Sequence, residues 1–324
     1  PGVETIPAGE AIPAGETTPA AETTPGFHRV RAVSTHEIEN GVLITNEHAR
    51  LTKLAVILPL ARSNLYQEIT RVKTFGAETV DIPGTGDHYL RFTRTGSDLP
   101  AAGESVRPYY SFTVTLYSLR VPLEEITTIH PYDRESEIFR FNTGPSGEYV
   151  DPSHPVIAAI GDSLWAKSEN ELDYARRCYE YVAATYAFVN PLTGLHTLDE
   201  IFARGGGDCG NLSSIWVSLV RRREIPARHI VTVRPDATYH VWSDFYLHGY
   251  GWIPVDVTYK NLHPEGDFFG VYDGNGIVFT TAAWVLLDFG DGRPYRQPML
   301  QSFNWWYWAD ETGGIEAEHD LRSK

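Results

Sequence analysis

The sequence predicts a β-sandwich region followed by a region that mixes helices with strands. Three observations carry this expectation. Between residues 27 and 150, short runs rich in β-branched and aromatic residues recur at regular spacing, broken by Gly, Pro, Asn and Asp. From residue 155 the apolar period becomes that of a helix. After residue 228 it returns to strands, with a Gly-containing turn between two of them.

Residues 1–25 have a six-residue period, in which Ile6-Pro7-Ala8-Gly9-Glu10 recurs as Ile12-Pro13-Ala14-Gly15-Glu16. Proline at this frequency excludes helix and central strand and favours extended backbone. The segment reads as a tether or stalk, such as follows a secretion signal. The sequence shows no signal peptide and no initiator Met, as in a trimmed form. With a formal net charge of −15, the expected location is periplasmic, secreted or cell-surface. The same charge argues against a nucleic-acid partner, because phosphate binding needs clustered Lys and Arg. The single basic cluster, Arg221-Arg222-Arg223, ends a predicted helix, where cations complement the helix dipole. No run is long and apolar enough to span a bilayer.

Residues 26–150 form the expected sandwich domain, with strands near 28–33, 42–45, 53–58, 67–72, 89–93 and 110–116. No catalytic constellation occurs there, since His36-Glu37 lacks the second histidine of a metalloprotease motif. A breaker-rich boundary spans 142–153. Helices are then expected over 155–167, over 170–188 and, briefly, over 198–204. Cys178, one of only two cysteines, lies on the inner face of the second, so no disulfide framework exists.

The other cysteine closes the run Gly205-Gly206-Gly207-Asp208-Cys209 and opens an amphipathic helix with Leu212, Ile215, Trp216, Leu219 and Val220 on one face. A thiol in the first helical turn feels unpaired N–H groups and the positive end of the dipole, both of which favour thiolate. Free cysteine is also common as a small packed residue, so this stretch alone leaves nucleophile and core residue both open. The strands that follow bear on the choice. A three-residue loop at His248-Gly249-Tyr250 pairs Leu247 with Gly251 and Trp242 with Asp256, which makes His240 the diagonal neighbour of Asp256 on one face. A slip of one residue would separate them. Nucleophilic catalysis by cysteine needs a base and a group that orients the base; His229 and His248 are the alternative bases.

Four separated segments resemble the transglutaminase-like superfamily of papain-like thiol enzymes: Gly207-Asp208-Cys209-Gly210, Ile225-Pro226-Ala227-Arg228, His240-Val241-Trp242 and Gly251-Trp252-Ile253-Pro254-Val255-Asp256-Val257-Thr258. The resemblance implies an α+β core over 151–265, with the nucleophile helix packed on an antiparallel sheet. Residues 266–324, outside the resemblance, carry turn signals and aromatic stretches that read as further strands completing the core. It implies Cys209 as nucleophile, His240 as general base and then acid, and Asp256 as the group orienting His240. Trp242, Trp252 and Tyr186 are the expected substrate-contacting aromatics. For the oxyanion, the Cys209 N–H is one donor. Residues 151–265 contain no Gln, while Gln67, Gln297 and Gln301 lie outside, so Tyr186, Trp165 or another backbone N–H is the second candidate. No cofactor or metal is expected; Asp273-Gly274-Asn275-Gly276 lacks the later carboxylate of a calcium loop and reads as a hairpin turn.

The expected activity is cysteine-dependent hydrolysis of an amide in a protein or peptide, through an acyl-enzyme. Two alternatives stand beside it. One is a protein-glutamine transglutaminase, which needs a second site for an amine that nothing in the sequence marks. The other is a non-catalytic protein on the same fold, with the Trp305-Trp306-Tyr307-Trp308 stretch holding a peptide or glycan.

Overall fold

The structure, a computed structural model, describes residues 27–189 and 194–324; the repeat over 1–25 lies outside them. The first strand, β1 (Arg29–Asn46), is followed by β2 (Arg50–Leu60), β3 (Gln67–Lys73), β4 (Glu78–Asp81), β5 (His88–Thr95), β6 (Glu104–Val106) and β7 (Tyr109–Arg120). The sequence reads β1 as two runs, because 34–41 is mostly polar. The structure keeps it continuous through a bulge between Ala32 and Ser34, with β7 along one edge and a later strand along part of the other.

A short helix, α1 (Glu137–Asn142), capped by the Ser136 hydroxyl, leads into α2 (Pro155–Trp165) and α3 (Glu171–Thr185). Asn170 caps α3 by accepting from the Asp173 N–H. Next come β8 (Ala187–Phe188), α4 (Leu198–Arg204), β9 (Gly206–Gly207) and α5 (Cys209–Arg221). The chain continues through β10 (Ala227–Val233), β11 (Tyr239–Leu247), β12 (Gly251–Val255) and α6 (Val257–Leu262). Six strands follow: β13 (Val271–Tyr272), β14 (Ile277–Thr280), β15 (Trp284–Asp288), β16 (Pro294–Pro298), β17 (Asn304–Glu311) and β18 (Ile315–Ser323).

Two sheets make the sandwich. One has the order β13-β7-β1-β18, with β3 on β7 and β6 on β1; the other has the order β17-β2-β5-β4. Their facing residues, including Val42, Ile44, Leu54, Val56, Phe92, Phe112 and Val114, form one buried cluster. Tyr110 ties the sheets by donating to Pro59 O at 2.8 Å and accepting from the Ala61 N–H at 3.0 Å. A separate antiparallel sheet, β12-β11-β10-β14, packs against α5. Its hydrophobic core joins α3, α5 and the sheet through Tyr179, Trp216, Ile230, Phe245 and Val255. The architecture is thus α+β, a helix packed on an antiparallel sheet and preceded by a sandwich.

The expectation that 266–324 completes the core needs correction. Among the described strands of this region β14 alone joins the core sheet, with Phe269 bridged to Val255; β17 and β18 instead pair with β2 and β1 and complete the sandwich. The sandwich strands left edges open, and main-chain hydrogen bonding fills them. The turn at 273–276 is not a hairpin either, because β13 pairs with β7 while β14 pairs with β10. The Trp-rich stretch is strand β17, with Trp305 stacked on Tyr307 and Lys53 over Trp308. Trp305 and Tyr307 pack against the sandwich core.

Candidate active site

The glycine run holds the start of α5 against the end of α3. Gly205 ends α4 in the left-handed conformation, at φ +73°. Gly206 and Gly207 then pair in parallel with Ala187 and Phe188. A Cβ on Gly206 would stand 2.0 Å from Ala187 O, and one on Gly207 2.5 Å from Asn211 Cβ. No larger residue fits this approach. Asp208 caps α5, accepting from the Asn211 N–H at 3.0 Å and from Asn211 Nδ2 at 2.7 Å. Asn211 Oδ1 in turn accepts from the His196 N–H at 2.8 Å. Cys209, the first residue of α5, is half-buried.

Behind it the helix is buried on every side from Gly210 to Arg221, rather than on the one face read from the sequence. The intervening Ser213, Ser214 and Ser218 are small enough for close packing, and two of them bond within the core. Ser214 Oγ meets His229 Nε2 at 3.1 Å, and Ser218 Oγ donates to Ser214 O at 2.7 Å. The basic cluster at the far end divides. Arg222 and Arg223 pair with Asp162 of α2, while buried Arg221 donates to Ala227 O, Gly144 O and Ser146 Oγ.

β11 and β12 pair Leu247 with Gly251 and Ser243 with Val255. This register brings His240 and Asp256 together: Nε2 of His240 meets Oδ2 of Asp256 at 2.6 Å. Both residues are 8% exposed. Asp256 stands where β12 ends and α6 begins, so its other oxygen caps α6 by accepting from the Tyr259 N–H at 2.9 Å. One carboxylate thereby fixes both the helix and the imidazole. Tyr259 stacks on His240 with ring centroids 4.9 Å apart and planes at 16°.

Burial pushes the His240 pKa down, but the charge and hydrogen bond of Asp256, followed by a hydrogen bond and charge from Cys209, outweigh it and raise the value to about 10. Because Asp256 occupies Nε2, Nδ1 is the nitrogen left for Cys209. The arrangement can hold an imidazolium beside a sulfur and exchange a proton with it.

The other residues singled out in the sequence have varied positions. Trp242 lines a small cavity with His240 and Asp256, but it is a buried wall, stacked on Tyr272 at 4.7 Å and edge-on to Tyr66 at 4.7 Å. Trp252 is not brought to the imidazole. It shares a side of β12 with Asp256 yet lies four residues away, about 13 Å along a strand, with the Arg228 guanidinium 3.8 Å over its ring. Tyr186 is buried between Phe202 and Tyr181. Trp165 packs on Tyr174 and under Arg223, which follows the opposite end of α5 from Cys209, about 20 Å along the helix.

Gln301 reaches the site, but its amide N–H groups go to Thr232 O and His240 O, at 2.8 and 3.1 Å. Gln67 is held on both the N–H and the C=O of Val278, and Gln297 on Pro298 and Asn304. Of the alternative bases, His229 is buried on Ser214 and its pKa falls to about 3, through burial and then the Arg221 charge. His248 is engaged with Pro131 O in the turn. Among the described residues, no group of three or more His, Cys, Asp or Glu could hold a metal ion, and no helix is long and apolar enough to cross a membrane.

Two neighbours of the site escaped the sequence reading. Tyr259 carries a signal, an aromatic three residues after an Asp that can cap a helix. Met299 carries none: it comes from the connection after β16, at φ +43°, with Cε 3.4 Å from the position of a Cβ on Gly210.

Comparison with known proteins bears on the segment that holds these residues. A model of the transglutaminase-like superfamily matches residues 158–257, which hold Cys209, His240 and Asp256. An uncharacterised protein of Haemophilus influenzae is 24% identical over 204 residues, 49% of this chain and 53% of that protein. The chain therefore spans about half the length of that curated relative. A solved structure from Cytophaga hutchinsonii, provisionally named a cysteine protease, aligns with a TM-score of 0.58 at 15% identity, covering 90% of this chain and 93% of that one. The periplasmic domain of TgpA from Pseudomonas aeruginosa aligns at a TM-score of 0.36 and 15% identity, over 70% of this chain and 89% of that one. At 15% identity the Cytophaga hutchinsonii structure bears on the fold alone. Residues 158–257 thus match the transglutaminase-like superfamily, and this segment lies beside a β-sandwich.

Proposed function

We propose that this protein is a cysteine-dependent amide hydrolase that acts on a protein or peptide through an acyl-enzyme. The observation that carries the reading is the line Asp256–His240–Cys209: a 2.6 Å carboxylate–imidazole bond whose imidazole is also influenced by Cys209, the residue that opens helix α5. In this reading the thiolate of Cys209 attacks the amide carbonyl, forming a C–S bond. The His240 imidazolium gives its proton to the departing amine as the C–N bond breaks. Water then attacks the thioester while His240 takes up its proton, and the C–S bond breaks, releasing the acid and restoring the thiolate–imidazolium pair. Asp256 holds the ring and its charge throughout, and backbone N–H groups at the start of α5 are the nearest donors for the oxyanion.

Hydrolysis needs only water as acceptor, whereas transfer to an amine needs a second binding site, so hydrolysis is the simpler outcome. The proline-rich lead and the acidic charge support a location outside the cytoplasm. The test is incubation with a peptide library, with and without a primary amine, followed by mass spectrometry of Cys209 and of the products. Cleaved peptides and a transient adduct on Cys209 are expected. Amine-bearing products without cleavage would establish transfer instead, and absence of any adduct would sink the reading.

A further inference from the structure

Arg234 directly follows β10, in register with the side of the sheet that carries His240. Thr232 lies directly opposite His240 in the β10–β11 register, and Arg234 is two residues further on. It is therefore the diagonal same-face neighbour of the imidazole. Its backbone is fixed by a closed turn: the Arg234 N–H donates to Thr238 O at 2.8 Å, and the Ala237 N–H donates to Arg234 O at 2.9 Å. The guanidinium lies 5.8 Å from the Tyr259 ring, the same ring that stacks on His240.

This cation is uncommitted. Among the described residues Arg234 forms no ion pair, and its buried Nε has no hydrogen-bond partner. The acid nearest in sequence, Asp236, caps its own turn by accepting from the Thr238 N–H at 3.0 Å. Another acid, Asp273, stands exposed at the rim of the cavity beside His240. The neighbouring cation of α6, Lys260, is held by Pro264 O and Gly266 O. An unpaired guanidinium offers a planar fork of donors that matches a carboxylate.

We infer that Arg234 is a specificity-determining residue that binds a carboxylate of the substrate close to the scissile amide, so that the preferred substrates are acidic peptides. The inference rests on the thiol-enzyme reading of the same site.

The test compares alkylation of Cys209 by iodoacetate, which is anionic, and by iodoacetamide, which is neutral and of similar size. Arg234→Gln is expected to lower the iodoacetate-to-iodoacetamide rate ratio by about three- to tenfold, the loss falling on iodoacetate. The effect fades in 1 M salt. Arg234→Lys should keep part of the ratio, and Arg31→Gln, on the exposed part of β1, should leave it unchanged. In the peptide assay, Arg234→Gln should raise KM for acidic substrates more than for their amide counterparts. A ratio unaltered by Arg234→Gln, or altered equally by Arg31→Gln, overturns the assignment. The ratio can be read whether Cys209 reacts quickly or slowly. Failure of the thiol-enzyme reading therefore shows in the wild-type iodoacetamide rate, and failure of the Arg234 assignment shows in the ratio.

Discussion

Tyr66, just before β3 of the sandwich, donates its hydroxyl to Asp244 of β11 at 2.9 Å. Asp244 is fully buried and also takes both ends of the Arg228 fork, at 2.9 and 3.2 Å. The Tyr66 ring abuts Trp242, two residues after His240. The sandwich thus touches the strand that carries the imidazole through a satisfied polar cluster. Tyr66→Phe removes one hydrogen bond to a buried carboxylate and should cost about 1.5–3 kcal/mol in urea unfolding. A loss near zero would show that the Arg228 fork alone satisfies Asp244.

The two thiols should separate cleanly. Cys178 is fully buried in α3, and burial pushes its pKa well up. Native protein treated with iodoacetamide should take one label, on Cys209, and denatured protein two. Cys209→Ala should abolish both native labelling and peptide cleavage, while Cys178→Ala should still label at Cys209. Peptide mapping after labelling decides the matter.

Asp256 is the largest of the influences that raise the His240 pKa, and burial opposes it. Asp256→Asn should therefore move the basic limb of the rate profile to lower pH. It should also reduce kcat/KM by about 10²–10⁴-fold, since the imidazole loses both orientation and charge. Cleavage rates measured between pH 5 and 11 would show the displacement. An unmoved basic limb would mean that another group sets it.

Stability should fall away on both sides of about pH 6.5, for opposite reasons. His229 has a folded pKa lowered to about 3, so as pH drops below 6.5 the unfolded chain binds a proton that the folded chain refuses. His240 has a folded pKa raised to about 10. Its contribution is full below 6.5 and is lost as pH rises toward 10, because only the folded chain holds that proton. Each group contributes a slope of roughly 1.4 kcal/mol per pH unit within its window. Urea melts should show a flatter acid side in His229→Gln and a flatter alkaline side in His240→Gln.

Gly206→Ala should be among the most damaging single substitutions apart from those at Cys209, His240 and Asp256. Its methyl would collide with backbone, at Ala187 O, where no side chain can swing away. A loss of about 3 kcal/mol or more is expected in thermal or urea unfolding, with falling activity as the Cys209 turn shifts. Gly86→Ala is the converse case, strain without collision: a Cβ there meets nothing within 4 Å but φ is +72°, and the loss should be about 1 kcal/mol.

The site was legible because its determinants are local. Three residues between Leu247 and Gly251 fix the hairpin, and the two-residue period then carries His240 to Asp256. The glycines and Asp208 mark the start of α5 in the same way. Trp252 was misplaced because alternation gives the side of a strand but not the distance along it. Met299 and Gln301 were invisible because they reach the site by tertiary packing from beyond the matched core. The destination of 304–323 was equally hidden: a strand-forming run pairs with any open edge of suitable register, and only the whole fold decides which edge that is.

The pairing of β17 with β2 and of β18 with β1 sets an order of synthesis. A growing chain completes β7 at Arg120 but must wait until residue 304 for the strand that covers β2. At ordinary translation rates that interval is roughly ten to forty seconds. Throughout it the sandwich presents open edges, to which another nascent copy could add a strand. The same interval is when the thiol core is made, so Cys209 and its partners are complete before the sandwich that supports them is closed. Late strands thus guard against pairing between chains, and they do so only after Cys209 has been made.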